Sequence, residues 1–228
     1  NFLGWRIKQN LQNADIISAE SSSSLKLFDA KHAEKLFVSG NGGDDELNSL
    51  KNEDVQAKDD IATVLGTYKY KALNDSYQVF EMLRKENDRL RLMVIGDDRP
   101  IPSNLRNNKK VIIRGVLPRE DVMEALKKSK YYISTTFIEN SYNAASEGVF
   151  IADESYISDI GPHRELLENI PFERVSIADM TRSVLHIKKQ DILEVNLKIW
   201  DDIISEMLNH LTCNDPATKV NRSGQLIG

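Results

Sequence analysis

Apolar positions mark out a regular middle section in this chain, flanked by an irregular start and a helical end. Residues 62–66, 90–96, 111–114, 131–134 and 155–158 are short runs dominated by apolar and β-branched side chains, as expected for buried strands. Between them, residues 74–87 carry Tyr77, Phe80, Met82 and Leu83 at helical spacing, and residues 119–128 follow Pro118 as a helix start. Residues 142–150 and 163–168 read as further helices, and residues 174–177 as a short strand. Strands that alternate with helices of this length need crossover connections, so the pattern predicts a doubly wound, mostly parallel α/β sheet.

The flanks read differently. Residues 5–28 suggest a helix, a brief apolar run at 14–18, and a second helix capped by the serine cluster Ser21 to Ser24. Residues 35–39 suggest a short strand that ends in Gly40-Asn-Gly-Gly43. Residues 44–60 then hold seven acidic and two basic side chains, which reads as a hinge and solvated linker. At the other end Ile192, Val195, Ile199, Ile203, Met207 and Leu211 recur every three or four positions, so residues 191–211 read as one amphipathic helix. The resulting division is 1–40 as the remnant of a preceding domain with the interdomain crossing, 41–60 as an acidic linker, 61–185 as a Rossmann-like domain, 186–211 as a C-terminal helix and 212–228 as a flexible tail.

Composition narrows the function classes. Thirty basic against 35 acidic residues give a net charge of -5, which disfavours a nucleic-acid binder and requires any anion site to be local. With one cysteine, Cys213, and histidines at 32, 163, 186 and 210 without ligand spacing, neither a disulfide framework nor a metal site is expected. No apolar run reaches the roughly 18 to 20 residues of a membrane span. The chain therefore reads as cytoplasmic, at most peripheral at the inner face of a membrane. The first residue is not Met, which suggests a piece of a longer protein.

In a doubly wound sheet ligands bind beyond the carboxyl ends of the strands, which here means the loops after Gly66, Gly96, Arg114, Thr135 and Ser158. Residues 138–167 fill two of these loops: Ile-Glu-Asn-Ser-Tyr-Asn-Ala-Ala-Ser-Glu-Gly, then Ile-Ser-Asp-Ile-Gly-Pro-His-Arg-Glu-Leu-Leu. This stretch resembles the donor-site signature of GT-B retaining glycosyltransferases, family 4 in particular. That signature has two glutamates with seven residues between them and an aspartate twelve positions on, the spacing of Glu139, Glu147 and Asp159. Leu65-Gly66 with Lys69 and Lys71, residues 92–97, and Arg114-Gly115-Val116 fall in the order of that family's carboxyl-terminal domain; Asn41-Gly-Gly-Asp44 resembles its interdomain turn. The likeness covers roughly residues 14–211.

The resemblance implies the Rossmann-like half of a GT-B fold, with a nucleotide diphosphate sugar as donor substrate and no metal or other cofactor. Glu147 would accept the ribose hydroxyls, since an ionised carboxylate only accepts, and Glu139 would face the transferred sugar as the catalytic residue. Lys71 would neutralise phosphate, with Lys69 covering for the family's arginine, whose place Thr67 takes. Gly66, Arg114, Gly115 and Val116 would line the donor site; the glycines serve turn geometry equally well. Asn140, Ser141, Tyr142 and Asn143 would present free N–H groups at a helix start. The acceptor, a saccharide or lipid-linked, would be held by a missing amino-terminal domain, so the fragment would bind donor without turning it over.

This sequence departs from the family pattern in having Asn140-Ser141-Tyr142-Asn143 where glycines commonly follow the first glutamate, and Ala152-Asp153-Glu154 in place of a Gly-Thr-Pro-like turn after the second. Asp153 and Glu154 put negative charge near an anion site, with no part in the scheme. His163 and Arg164 read first as a helix start, and alternatively as a diphosphate contact. Two other functions fit the same pattern: a GT-B nucleotide-sugar epimerase and a non-catalytic doubly wound binding module.

Overall fold

The computed structural model describes residues 2–25, 35–40, 42–52 and 58–214. The amino-terminal part holds α1 (Phe2–Asn13), β1 (Ile17–Ala19), α2 (Ser22–Leu25) and β2 (Leu36–Val38), with β1 and β2 paired in parallel. The middle runs α3 (Asp45–Leu50), β3 (Asp59–Leu65), α4 (Leu73–Arg84), β4 (Arg91–Ile95), α5 (Ser103–Arg106), β5 (Val111–Gly115), α6 (Arg119–Lys128), β6 (Ser129–Ser134), α7 (Asn143–Ile151), β7 (Glu154–Ser158), α8 (Gly161–Leu166), β8 (Glu173–Val175) and β9 (Val184–Lys188). A final helix, α9 (Trp200–Asn214), follows.

Two compact units result: residues 45–197 form one, and residues 1–44 with 198–228 the other. In the smaller unit the Lys35 ammonium donates to the carbonyls of Gln12 and Ala14, satisfying the end of α1. Gly43 bridges to Ile199, and a Cβ on Gly42 would stand 2.5 Å from the Trp200 backbone, so only glycine allows this approach. Phe37 stacks on His210 with ring centroids 4.5 Å apart.

The larger unit is built on a seven-stranded sheet in the order β5-β4-β3-β6-β7-β9-β8, parallel from β5 through β7. Strands buried on both faces read as continuous apolar runs, which is why β3, β4 and β6 were visible in sequence. The core lies on both faces. One cluster gathers Val79, Phe80, Leu92, Val94 and Ile133; another gathers Leu126, Tyr132, Val149, Phe150 and Ile157. This is the doubly wound, mostly parallel Rossmann-like architecture that the pattern predicted, with a C-terminal helix.

Three stretches differ from the sequence reading. Residues 44–60, expected as a solvated linker, contain α3, whose Leu47 and Leu50 are buried in the core; residues 53–57 lie outside the described residues. The strand β9 was not expected. It runs antiparallel between β7 and β8, burying Val184, Leu185 and Ile187. The helix expected over residues 191–211 is interrupted. A 3₁₀ turn ends at Ile192, residues 195–198 run outside any helix, and α9 begins only at Trp200.

The interruption has a physical cause. Val195 and Leu197 pack against the core, and α3 takes up the backbone polar groups that a helix would have paired. The Asn48 amide donates to the Leu197 carbonyl at 3.1 Å and accepts from its N–H at 2.9 Å, while the Lys51 ammonium donates to the Val195 carbonyl at 2.6 Å. The apolar periodicity thus serves two separate segments.

Candidate functional site

The parallel strands deliver five loops to one edge of the sheet. Their ends are finished by three glycines in left-handed or extended positive-φ conformations: Gly66 (φ 86°), Gly96 (φ 144°) and Gly115 (φ 69°). The Gly66 N–H donates to the Ile95 carbonyl and that of Gly96 to the Gly115 carbonyl, both at 2.8 Å, which carries the ladder one step past the strands. A Cβ on Gly66 would press on the aliphatic part of Lys71 at 3.3 Å. Glycine there lets the lysine lie across the end of β3.

The loop after β3 is stitched to the loop after β6. The Phe137 N–H donates to the Tyr70 carbonyl at 2.7 Å, and the Thr135 hydroxyl to the Ala72 carbonyl at 2.9 Å. Ser76 in turn bonds the Thr135 hydroxyl at 2.7 Å. These bonds set Lys71 against Glu139, and their side chains form a short, half-buried ion pair. Lys69 and Asn140 are solvent-exposed, and Ser141 is half-buried.

Glu147 sits in the second turn of α7. Both Nε and a terminal nitrogen of Arg119 lie 3.2 Å from its Oε1, so α6 and α7 are joined by a guanidinium–carboxylate pair. Arg119 was not singled out in sequence, where it read as an ordinary first residue of a helix. The helix begins at Asn143. Tyr142 stands at the cap and makes no side-chain capping bond; it packs on the core instead. A Cβ on Gly148 would meet the Tyr132 ring at 2.1 Å, so glycine brings the backbone of α7 directly onto β6.

At the outer edge a bulge at Arg114 separates the Val94–Ile113 and Ile95–Gly115 pairs. Arg114 is exposed, and Val116 is 78% exposed beyond the strand end. The two residues thus flank the mouth of the edge loop rather than the Lys71–Glu139 pair.

The loop after β7 holds Asp159 between Arg164 and Arg174, at 2.9 Å from the latter. The Arg164 hydrogen bond, with Arg174 adding to it, keeps its carboxyl below the ordinary aspartate range. Arg164 is thereby engaged in its own turn. His163 is wholly buried; its Nδ1 lies 2.8 Å from the Ser158 carbonyl, and burial lowers its pKa to about 4.

Asp153 and Glu154, without a part in the sequence reading, have structural partners. Lys189 donates to the carbonyls of Phe150 and Ile151 at 2.8 and 3.3 Å, and Lys58 to that of Ile151 at 3.1 Å, so two ammonium groups close the carboxyl end of α7. Asp153 balances Lys58 at 3.8 Å. Glu154 bonds His186 Nε2 at 2.7 Å, which holds its carboxyl below the ordinary range, and His186 stacks on Tyr156.

Among the described residues no cluster of three or more His, Cys, Asp and Glu side chains could hold a metal ion, and no helix is long and apolar enough to cross a membrane.

No protein-family profile and no curated protein sequence matches the chain. Solved structures do share its fold. HepE from Anabaena, in complex with UDP and glucose, is 16% identical with a TM-score of 0.54, over 72% of this chain and 50% of that one. A trehalose-6-phosphate protein from E. coli bound with UDP-2-fluoro glucose is 11% identical, TM-score 0.54, over 71% and 50%. A TarM variant from S. aureus, in complex with fondaparinux, α-GlcNAc-glycerol and UDP, is 15% identical, TM-score 0.54, over 75% and 35%. The chain thus spans half or less of the length of these structures, and its larger unit has the Rossmann-like architecture of a GT-B half.

Proposed function

We propose that this chain is the donor-binding part of a glycosyltransferase that takes a nucleotide diphosphate sugar and transfers the sugar with retention to a saccharide or lipid-linked acceptor. The supporting observation is a pair of charge contacts on the carboxyl side of the parallel strands: Lys71–Glu139 joins the loops after the adjacent strands β3 and β6, and Arg119–Glu147 joins α6 to α7. Each group answers one part of a nucleotide sugar. Glu147 receives ribose hydroxyls, Lys71 and the first N–H groups of α7 face the diphosphate, and Glu139 faces the sugar. The UDP carried by the three structures of like fold supports the same reading.

In the reaction the bond between the anomeric carbon and the β-phosphate oxygen breaks while a bond to an acceptor oxygen forms on the same face, and the acceptor hydroxyl passes its proton to the departing diphosphate. Negative charge grows on the leaving diphosphate. Lys71 moves from Glu139 toward those oxygens, and the fixed N–H dipoles of α7 stabilise them without reorganising. Acceptor binding belongs to residues outside this chain, so donor binding is the activity expected of it alone. No metal is required in this scheme, since the cation and the helix dipole supply the positive field.

Calorimetric titration of UDP- and GDP-sugars tests the proposal: saturable binding of at least one, lost in Glu147→Ala, is expected. Absence of binding to every donor would sink it. Isomerisation of a sugar nucleotide by the full-length protein with no acceptor present would identify an epimerase instead.

A further inference from the structure

Among the described residues one buried side-chain nitrogen lacks a hydrogen-bond partner: Nε2 of His163. Native interiors rarely leave such an atom unmatched, so it calls for a donor group, which reaches it when the side chains that cover it shift aside. The other ring nitrogen fixes what Nε2 can do. Nδ1 lies 2.8 Å from the Ser158 carbonyl, which can only accept, so Nδ1 carries the proton. The Ser158 hydroxyl, 3.2 Å from Nδ1, adds no donor at Nε2. Nε2 is left with a bare lone pair, and burial keeps the ring neutral around pH 7. Only an O–H or N–H donor can satisfy it.

Position selects among the parts of a nucleotide sugar. Both phosphates there are ionised and offer only acceptor oxygens, so they cannot serve Nε2, and of the two residues considered as a diphosphate contact His163 is not suited to the part. The family resemblance implies that the base lies at the loop of Gly115 on β5, four strands from β7 and about 19 Å away at ordinary strand spacing. The ribose is assigned to Glu147, which Arg119 ties to the β5 side of the site. His163 lies in α8, which directly follows β7, the neighbour of the β6 strand whose loop carries Glu139, and its ring feels the charge of Lys71, the partner of Glu139. The part of the donor left for this corner is the sugar.

We propose that His163 Nε2 accepts a hydrogen bond from a hydroxyl of the transferred sugar, which makes His163 a residue that selects the donor sugar. The proposal rests on the reading of the site as a nucleotide-sugar site. It assigns to a buried neutral imidazole, rather than to a surface group, the task of recognising one hydroxyl. A donor lacking that hydroxyl leaves the lone pair unmatched and is rejected more strongly than a merely missing contact would require.

The test uses the full-length protein labelled with ¹⁵N-histidine, titrated with UDP, GDP and a panel of their sugars. The His163 Nε2 resonance is expected to move on adding the bound nucleotide sugar and to stay in place with the free nucleoside diphosphate. His163→Phe is expected to weaken the nucleotide sugar roughly tenfold and leave the nucleoside diphosphate unchanged. His163→Gln, whose amide oxygen can stand near the Nε2 position, is expected to recover part of that loss. An Nε2 signal that is the same in both complexes overturns the inference, as does an equal loss for both ligands in His163→Phe; the first result identifies a resident water, the second a packing role. If His163→Phe does not fold, the labelled wild type decides alone. Wild-type protein that binds no nucleotide sugar sinks the reading of the whole site and this inference with it, whereas binding with an unmoved Nε2 sinks the inference only.

Discussion

Arg119, the first residue of α6, is bonded through two guanidinium nitrogens to a single carboxylate oxygen of Glu147 in α7, each at 3.2 Å. The arginine side chain is about half exposed, so the pair is worth little to stability, on the order of 1 kcal/mol or less. Its value lies in aiming the carboxylate. Glu147→Ala should weaken nucleotide-sugar binding at least about tenfold, and Arg119→Ala roughly threefold, with thermal unfolding shifted by only a few degrees in either. Calorimetric titration and differential scanning calorimetry measure both. Unchanged affinity in Glu147→Ala would refute its part in binding.

The contact between α7 and β6 leaves no room for a methyl group. In Gly148→Ala the new carbon would stand 2.1 Å from the ring of Tyr132, a residue buried on every side. Neither the ring nor the helix backbone can swing clear, so a destabilisation of about 2–3 kcal/mol is expected from urea unfolding. Gain of stability from the helix propensity of alanine would show that the helix can slide on the strand.

Removing the charges that close α7 should loosen the same helix from its other end. Lys189→Met strips the ammonium from the Phe150 and Ile151 carbonyls and is expected to lower stability by about 1 kcal/mol. Lys58→Met leaves Asp153 without its cation and should behave similarly. The double variant should lose more than either alone, because the two ammonium groups share the Ile151 carbonyl. Equilibrium denaturation of all three reads this directly.

Stability should also depend on His163 in a defined pH window. In the folded chain its pKa is lowered to about 4, mainly by burial and further by Lys71, against about 6.5 when unfolded. Between those values the unfolded chain binds a proton that the folded chain does not, so stability is full above about pH 6.5 and falls as the pH drops toward 4. The loss expected from this group is on the order of 3 kcal/mol. His163→Gln should flatten that part of the stability profile. A profile of unchanged slope would place the acid sensitivity elsewhere.

Much of the sheet was legible because strands buried on both faces leave an uninterrupted apolar signature. Where one residue pattern can serve two structures, legibility ended. The spacing of Ile192, Val195, Ile199 and Ile203 fits one helix, yet the side chains of Asn48 and Lys51, about 150 residues upstream, hold residues 195–197 in a non-helical course. β9 escaped notice because its apolar positions alternate with His186 and Lys188, and His186 finds its partners only across the sheet, in Tyr156 and Glu154. The same distance effect governs the site. Lys71 and Glu139 could be singled out from their loops, but their ion pair depends on the stitching of Tyr70 to Phe137. Arg119 carried no signal beyond a helix start; only the neighbourhood of α6 and α7 gives it Glu147.

The bulge at Arg114 has a consequence for the sheet as a whole. An outermost strand presents unsatisfied main-chain groups that can recruit a foreign strand, and β5 interrupts that row with an extra charged residue. The opposite border is β8, three residues long, with Glu173 and Arg174 exposed. Neither border offers a long, flat, apolar template, so the sheet is guarded against edge-to-edge polymerisation on both sides.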